Sequence, residues 1–157
     1  MVTVAIADTD PGRRIKLERY LQGGPGIKVL EDVMPAKNDI RHQLESDVAV
    51  IAIDEVVERI SQLKPRIVFV NLDQSTGGGF AFLEALHREC PETLVLLLTD
   101  KSIQEDQIIQ ALATGARGCL SHEADPLYFL KAVHVVDQGE IWVTRKMLGK
   151  IMDKVLH

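Results

Sequence analysis

An α/β fold, a doubly wound parallel sheet with helices on both faces, is predicted by three features of the sequence. Short runs rich in aliphatic and β-branched residues alternate with amphipathic stretches of helical length, the order that crossover helices between parallel strands require. The run Ile67 to Leu72 is apolar apart from Asn71, as expected of a central strand covered on both sides. The 157 residues suit one domain, and 46% hydrophobic with 26% charged residues excludes collagenous, disordered and disulfide-scaffold classes. Only 4% of the chain is aromatic, so the core is expected to be aliphatic.

Taken in order, Val2 to Ala7 reads as the first strand. Asp8-Thr9-Asp10-Pro11 closes it with helix-start chemistry, a capping aspartate followed by a proline suited to the first helical position. The helix carries Ile15, Leu17 and Leu21 and stops at Gly23-Gly24-Pro25-Gly26. Ile27 to Val33 reads as the second strand. Beyond Pro35, Lys37 to Glu45 suits a short polar helix, and Val48 to Ile53 reads equally as an extra strand or as the buried start of a helix, because periodicity does not separate the two for a short apolar run. Asp54 to Leu63 is helical in pattern, with Val56, Val57, Ile60 and Leu63 on one face, and Lys64-Pro65 ends it.

The third strand, Ile67 to Leu72, is followed by a loop over Asp73 to Gly79 and a helix near Phe80 to Glu89. Thr93 to Thr99 reads as a strand, Ile103 to Thr114 as a helix, and Gly118 to Leu120 as a short strand. Asp125-Pro126 opens a helix that runs to about Gln138 and ends before Gly139. Thr144 caps a last helix with Met147, Leu148, Ile151, Met152 and Val155 along one side, expected to dock on the domain rather than to bind a partner.

Eighteen Lys and Arg against 23 Asp and Glu leave a net charge of −5, which argues against a surface that neutralises nucleic-acid phosphates. No apolar run approaches the roughly 18 residues of a membrane span, and the N-terminus lacks the basic flank and apolar core of a signal peptide, so a cytoplasmic chain is expected. Cys90 and Cys119 lack metal-ligand spacing and read as reduced thiols in or near the core. Gly77-Gly78-Gly79 is followed by no Lys-Ser/Thr pair and reads as a turn rather than a phosphate loop.

Doubly wound sheets place their chemistry at the carboxyl ends of strands, near the point where strand order reverses. Those ends hold Asp8, Thr9 and Asp10 on the first strand, Asn71 on the third, Thr99 and Asp100 on the fourth, and Ser121 and His122 after the fifth. Ile6-Ala7-Asp8-Thr9-Asp10-Pro11, Lys64-Pro65 through Asn71-Leu72, Val95 to Thr99, and Gly115-Ala116-Arg117-Gly118-Cys119-Leu120-Ser121-His122 follow one another as do the motifs of the receiver domain of bacterial response regulators, which the chain resembles. Gly139-Glu140-Ile141-Trp142 is similar to the end of CheY-like receivers that precede a LuxR-type helix-turn-helix domain. The resemblance implies a flavodoxin-like five-stranded sheet of order 2-1-3-4-5, with residues 1–143 as the receiver-like domain, 34–53 as an unusual insertion or extended region, and 144–157 as a helical extension or linker.

A working receiver, by the same resemblance, holds Mg²⁺ with an acidic pair, accepts a phosphoryl group on an aspartate, follows it with a Ser or Thr, and pairs it with a lysine. Asp8 keeps the first acid and Thr99 the hydroxyl, but Thr9 stands at the second acid, Asn71 at the acceptor and His122 at the lysine. Asn71 supplies no nucleophilic carboxylate, although its amide is able to hydrogen-bond with Thr9 or Thr99. Loss of two acids leaves little for Mg²⁺, which wants one or two carboxylates in octahedral oxygen surroundings. Asp10, one residue beyond the second acid position, is expected to diverge from Asp8. Asp73 as a displaced acceptor would sit about 6–7 Å further along the strand. An unperturbed imidazole is mostly neutral at pH 7, so His122 does not copy a lysine.

The expectation is therefore a pseudo-receiver, not an enzyme, with a degenerate phosphoacceptor pocket of Asp8, Thr9, Asp10, Asn71, Thr99 and His122. It has no cofactor and only weak or absent Mg²⁺ binding. It acts by contact with a protein partner or a second copy, without binding nucleic acid or membrane itself. The resemblance maps the family's signalling face, its fourth helix, fifth strand and fifth helix, onto roughly Ile103 to Thr114, Cys119-Leu120 and Pro126 to Gln138; the terminal helix is the other candidate surface. Two further readings are the regulatory portion of a DNA-binding transcription regulator and a small-ligand receptor or enzyme using Asp8, Asp10 and His122.

Overall fold

The computed structural model describes residues 1–31, 33–34, 45–72 and 80–156, with 45–52 described as backbone. Five strands, β1 (Val2–Ala7), β2 (Ile27–Val29), β3 (Ile67–Leu72), β4 (Leu94–Thr99) and β5 (Gly118–Ser121), form one parallel sheet in the order β2-β1-β3-β4-β5. The helices are α1 (Pro11–Gln22), α2 (Glu45–Leu63), α3 (Phe80–Glu89), α4 (Glu105–Ala113), α5 (Pro126–Asp137) and α6 (Arg145–Leu156). This is the topology that the sequence predicts. No helix among the described residues is long and apolar enough to cross a membrane.

Side chains that alternate along each strand divide the core into two layers. Ala5, Ala7, Val68, Val70, Leu72 and Leu97 face one side, where Val56, Val57 and Ile60 of α2, Leu83 and Leu86 of α3, and Ala111 and Leu112 of α4 cover them. Val4, Ile6, Ile67, Phe69, Leu96, Leu98 and Leu120 face the other, under Leu17 and Leu21 of α1 and Phe129, Ala132, Val133 and Val136 of α5. In this second layer Phe129 stacks on Tyr20 with centroids 6.1 Å apart and meets Phe69 edge-on at 6.4 Å, while Phe80 and Phe82 pack on the first.

Several boundaries differ from the sequence reading. β2 stops at Val29 rather than Val33: it is an edge strand, its partners on β1 run only from Val2 to Val4, and after the Leu30 N–H donates to the Val4 carbonyl the chain leaves the sheet. Val48 to Ile53 is helical, inside α2. The polar helix expected over Lys37 to Glu45 falls outside the described residues except at its last position, which opens α2. α4 begins at Glu105 instead of Ile103: Gln104 is its N-cap, with extended backbone and its N–H donating to Gln107 Oε1 at 3.2 Å, and Ile103 is buried in the preceding turn. The fifth strand extends one residue further, to Ser121.

The end of the chain lies against the sheet edge. Gly139, with φ of +92°, turns the chain out of α5, and the Trp142 N–H donates to the Arg117 carbonyl at 2.9 Å while the Trp142 carbonyl accepts from the Cys119 N–H at 3.1 Å. Thr144 then caps α6, its hydroxyl accepting from the Met147 N–H at 3.1 Å. The apolar stripe expected to dock is divided. Met147 and Ile151 pack on the first core layer, Met147 Sδ lies 3.7 Å from Cys119 Sγ, and Lys150 pairs with Glu105 of α4, whereas Leu148, Met152 and Val155 are exposed. Residues 141–156 therefore line the β5 edge and the flank of α4, part of the face to which the sequence resemblance assigned signalling.

Candidate functional site

Strand order reverses between β1 and β3, so their carboxyl ends open the crevice at which such sheets bind ligands. Asp8 follows β1 and is 2% exposed. A carboxylate so deeply buried needs compensation, and α1 provides it. Arg13 donates from Nε to Asp8 Oδ2 and from Nη2 to Asp8 Oδ1, both at 2.9 Å, in the fork geometry that a guanidinium offers a carboxylate. The Asp10 N–H adds a third bond to Oδ1 at 2.9 Å, and Arg14 Nη1 donates to the Asp8 backbone carbonyl at 3.2 Å.

Asp10 turns its carboxylate to the start of α1, where its Oδ2 also lies 3.9 Å from Arg13 Nη1. Its Oδ1 accepts from the Gly12 and Arg13 N–H groups at 2.8 and 3.2 Å, with Pro11 at the first helical position, as the sequence predicts for a cap. The Arg13 backbone donor leads in holding the Asp10 carboxyl below the usual carboxylate range. Thr9, between the two acids, is exposed.

Asn71 sits one residue before the end of β3, opposite Leu98 of β4. The sequence reading paired its amide with Thr9 or Thr99; the described bond runs instead to His122, whose Nε2 lies 2.6 Å from Asn71 Oδ1. With an oxygen as acceptor, Nε2 carries the proton. The backbone aims the ring, since the His122 N–H donates to the Thr99 carbonyl at 3.0 Å and so continues the β4–β5 register by one residue. Thr99 is buried and its hydroxyl donates to the Leu120 carbonyl at 3.5 Å. Asp100, beyond it, is held below its ordinary pKa by the Ser102 hydroxyl first and the Ser102 N–H second.

The half-buried His122 has its pKa lowered, with loss of hydration as the main cause and the Arg13 charge adding to it; Asp8, Asp100 and Asp10 oppose the shift. The imidazole is therefore neutral at pH 7. A base whose folded-state pKa is depressed contributes stability above its unfolded value of 6.5, and that contribution is lost as pH falls towards the lower folded value. The thermal midpoint is expected to fall on acidification from about pH 7 to 5, and His122→Gln to flatten that slope. Asp10 and Asp100, lowered from 3.8, add losses of the same sign only in more acid solution. A wild-type midpoint that rises on acidification in the first window overturns this assignment.

The structure thus gathers Asp8, Asn71, Thr99 and His122 at adjacent strand ends, turns Asp10 to helix capping, and leaves Thr9 outside the hydrogen-bonded set described. Arg13 was missed by sequence reasoning. Its signal was present: a buried acid that has lost its acidic neighbour needs a cation, and Arg13-Arg14 in the first turn of the following helix lies within reach. Asp73 and Gly77-Gly78-Gly79 lie outside the described residues.

No protein-family model matches the chain. It is 25% identical over 121 residues to the oxygen regulatory protein NreC of Staphylococcus haemolyticus, covering 75% of this chain and 55% of that protein. It is 21% identical over 157 residues to the transcriptional regulatory protein LiaR of Bacillus subtilis, covering 100% of this chain and 66% of that one. The chain therefore spans between half and two thirds of the length of these relatives. Among solved structures, the isolated REC domain of RcsB from Salmonella enterica serovar Typhimurium superposes with a TM-score of 0.69 at 16% identity, over 98% of this chain and 99% of that one. The structural neighbours are receiver domains and response regulators of the LuxR family, and the fold of this chain is the receiver fold.

Proposed function

We propose that this chain is a receiver module of two-component-type signalling that works without phosphorylation, its strand-end pocket being closed by its own side chains. The carrying observation is the paired replacement around the crevice: Arg13 forks onto Asp8, and His122 binds Asn71. A guanidinium on the first acid supplies the positive charge that a divalent ion brings to a working receiver, and both carboxylate oxygens are engaged. Asn71 has no carboxylate with which to attack phosphorus, and a neutral imidazole stands where a lysine would meet the phosphoryl group. The residues present do not fit Mg²⁺, which is expected to bind weakly or not at all. The module is read as a binding protein of the cytoplasm, not an enzyme, whose output is contact with a protein.

The test is an amide NMR titration with Mg²⁺ and beryllofluoride, for the natural chain and for Asn71→Asp. The natural chain is expected to show no saturable shifts at Asp8, Asn71, Thr99 or His122. Saturable shifts there would sink the phosphorylation-independent reading. The same titration of Asn71→Asp reports how far the restored acid must compete with Arg13 and His122.

A second reading, that the module regulates transcription, is favoured by the relatives, named as an oxygen regulatory and a transcriptional regulatory protein and longer than this chain. It is compatible with the first: a receiver held in one state still sets the availability of whatever it contacts.

A further inference from the structure

The chain carries a net charge of −5, yet α1 holds four cations, Arg13, Arg14, Lys16 and Arg19, against one acid, Glu18. Helical spacing sets Arg13, Lys16, Leu17 and Tyr20 on one side of that helix. This side does not close completely on the domain. Between it and the turn that joins β5 to α5 lies a cleft of about 140 Å³, which Leu98 of β4 and Phe129 of α5 also line.

The lining divides by burial. Its buried members, Leu17, Leu98 and Phe129, are apolar, whereas Lys16 and Glu123 are exposed and charged. The Lys16 ammonium lies 5.9 Å over the Tyr20 ring and, among the described residues, is in no ion pair. Arg13 is engaged with Asp8, so it adds positive charge to the cleft without turning its fork towards it. Two cations against one acid leave the lining with a single net positive charge beside an apolar wall.

We propose that this cleft binds a small organic monocarboxylate, with its apolar body against Leu17, Leu98 and Phe129 and its carboxylate at the Lys16 ammonium. The volume lies below the roughly 300–1,000 Å³ of sites for drug-sized ligands, so the body is one ring or a short branched chain. A neutral or cationic molecule would leave Lys16 unmatched. Inorganic phosphate would bring more charge than the lining offers and would cover none of the apolar wall. Arg13 and His122, which close the strand-end site, both line the cleft, so a molecule seated there lies against both. Binding needs neither Mg²⁺ nor phosphorylation, so the beryllofluoride titration does not decide it, and the reading above survives its failure.

Amide NMR titration of the full chain with benzoate, at fixed ionic strength, tests it. Saturable shifts are expected at Lys16, Tyr20, His122 and Phe129, with a dissociation constant of about a millimolar, the strength that so few non-hydrogen atoms allow. Benzamide has the same shape without the charge, and acetate has the charge without the body; each is expected to bind about fivefold more weakly or worse. Lys16→Gln should weaken benzoate binding about fivefold and Glu123→Gln should tighten it, both at exposed positions and with an unchanged circular dichroism spectrum. Absence of saturable shifts up to about 20 mM benzoate overturns the proposal. Equal binding of benzamide overturns it by removing the charge, and equal shifts with acetate or inorganic phosphate overturn it by reducing the site to a general attraction of anions to α1. Benzoate binding that both substitutions leave unchanged places the molecule elsewhere and overturns it as well.

Discussion

Arg13→Ala is expected to lower the stability of the domain by about 2–4 kcal/mol at neutral pH, measured by chemical denaturation. Removing one partner of a buried ion pair costs about 3–5 kcal/mol, because the remaining charge stays in a poorly solvated site. The lower figure reflects the geometry: the Asp8 side chain is 1% exposed, but the Arg13 side chain is 34% exposed, so water screens part of the attraction. Arg13→Lys keeps the charge and loses the two-pronged bond, and should fall between alanine and the natural residue. Added Mg²⁺ should stabilise Arg13→Ala through mass action and leave the natural chain unchanged, since the guanidinium already occupies both oxygens. A variant within about 0.5 kcal/mol of the natural chain would show that Asp8 is compensated in some other way.

Gly118→Val is expected to detach the end of the chain from the sheet. Gly118 lies on β5 directly against Trp142, and a Cβ there would stand 2.5 Å from the Trp142 carbonyl oxygen, 2.8 Å from its Cβ and 3.0 Å from Leu96 Cδ2. Two of these obstacles belong to a strand-like segment hydrogen-bonded on both sides of Gly118, to Arg117 and Cys119, so the segment must move rather than rotate aside. Overpacking of this kind costs about 1–3 kcal/mol for alanine, and more for the branched side chain. The chain carries one tryptophan, which half-buries itself against the second core layer and lies 6.3 Å from Tyr128. Its fluorescence therefore reports detachment directly, and a red shift with loss of α6 helicity is expected. An unshifted spectrum in a folded Gly118→Val chain would contradict the close approach.

The sheet and the helices that alternate with it were legible because their apolar spacing follows the two periods that backbone geometry imposes. β3 and β4 read correctly as continuous apolar runs because both their faces are covered. The run Val48 to Ile53 was ambiguous for the same reason in reverse, since six apolar residues in a row fit either period. The end of β2 was not legible, because this edge strand stops where the chain turns away after Leu30, although β1 runs on to Ala7. At the candidate site, the residue types at the strand ends could be placed from sequence, and Asp10 was read correctly as a cap. The partners could not be read: Asn71 meets His122 because the β4–β5 register carries on for one residue past Thr99, and Arg13 meets Asp8 across the turn into α1. Whether the terminal stripe would dock whole or in part depended on which side of α6 the tertiary packing turns to the domain, and that side carries Met147 and Ile151.

The place of β1 inside the sheet governs the order in which the domain can form. Its nearest partner in sequence, β2, offers only three residues of pairing, while its other edge waits for β3, joined first through Thr3 and Arg66, 63 residues apart. Closing so long a loop before the central pairing forms is the slow kind of step that high contact order brings. Until residue 72 has emerged, a nascent chain carries a strand of Val, Ala and Ile with one edge bare, the type of segment that aggregates. Contacts of α6 and the Trp142 segment add to a sheet whose order they do not set, so Gly118→Val is expected to speed unfolding and leave the folding rate nearly unchanged in stopped-flow tryptophan fluorescence, and a slowed folding limb would contradict this.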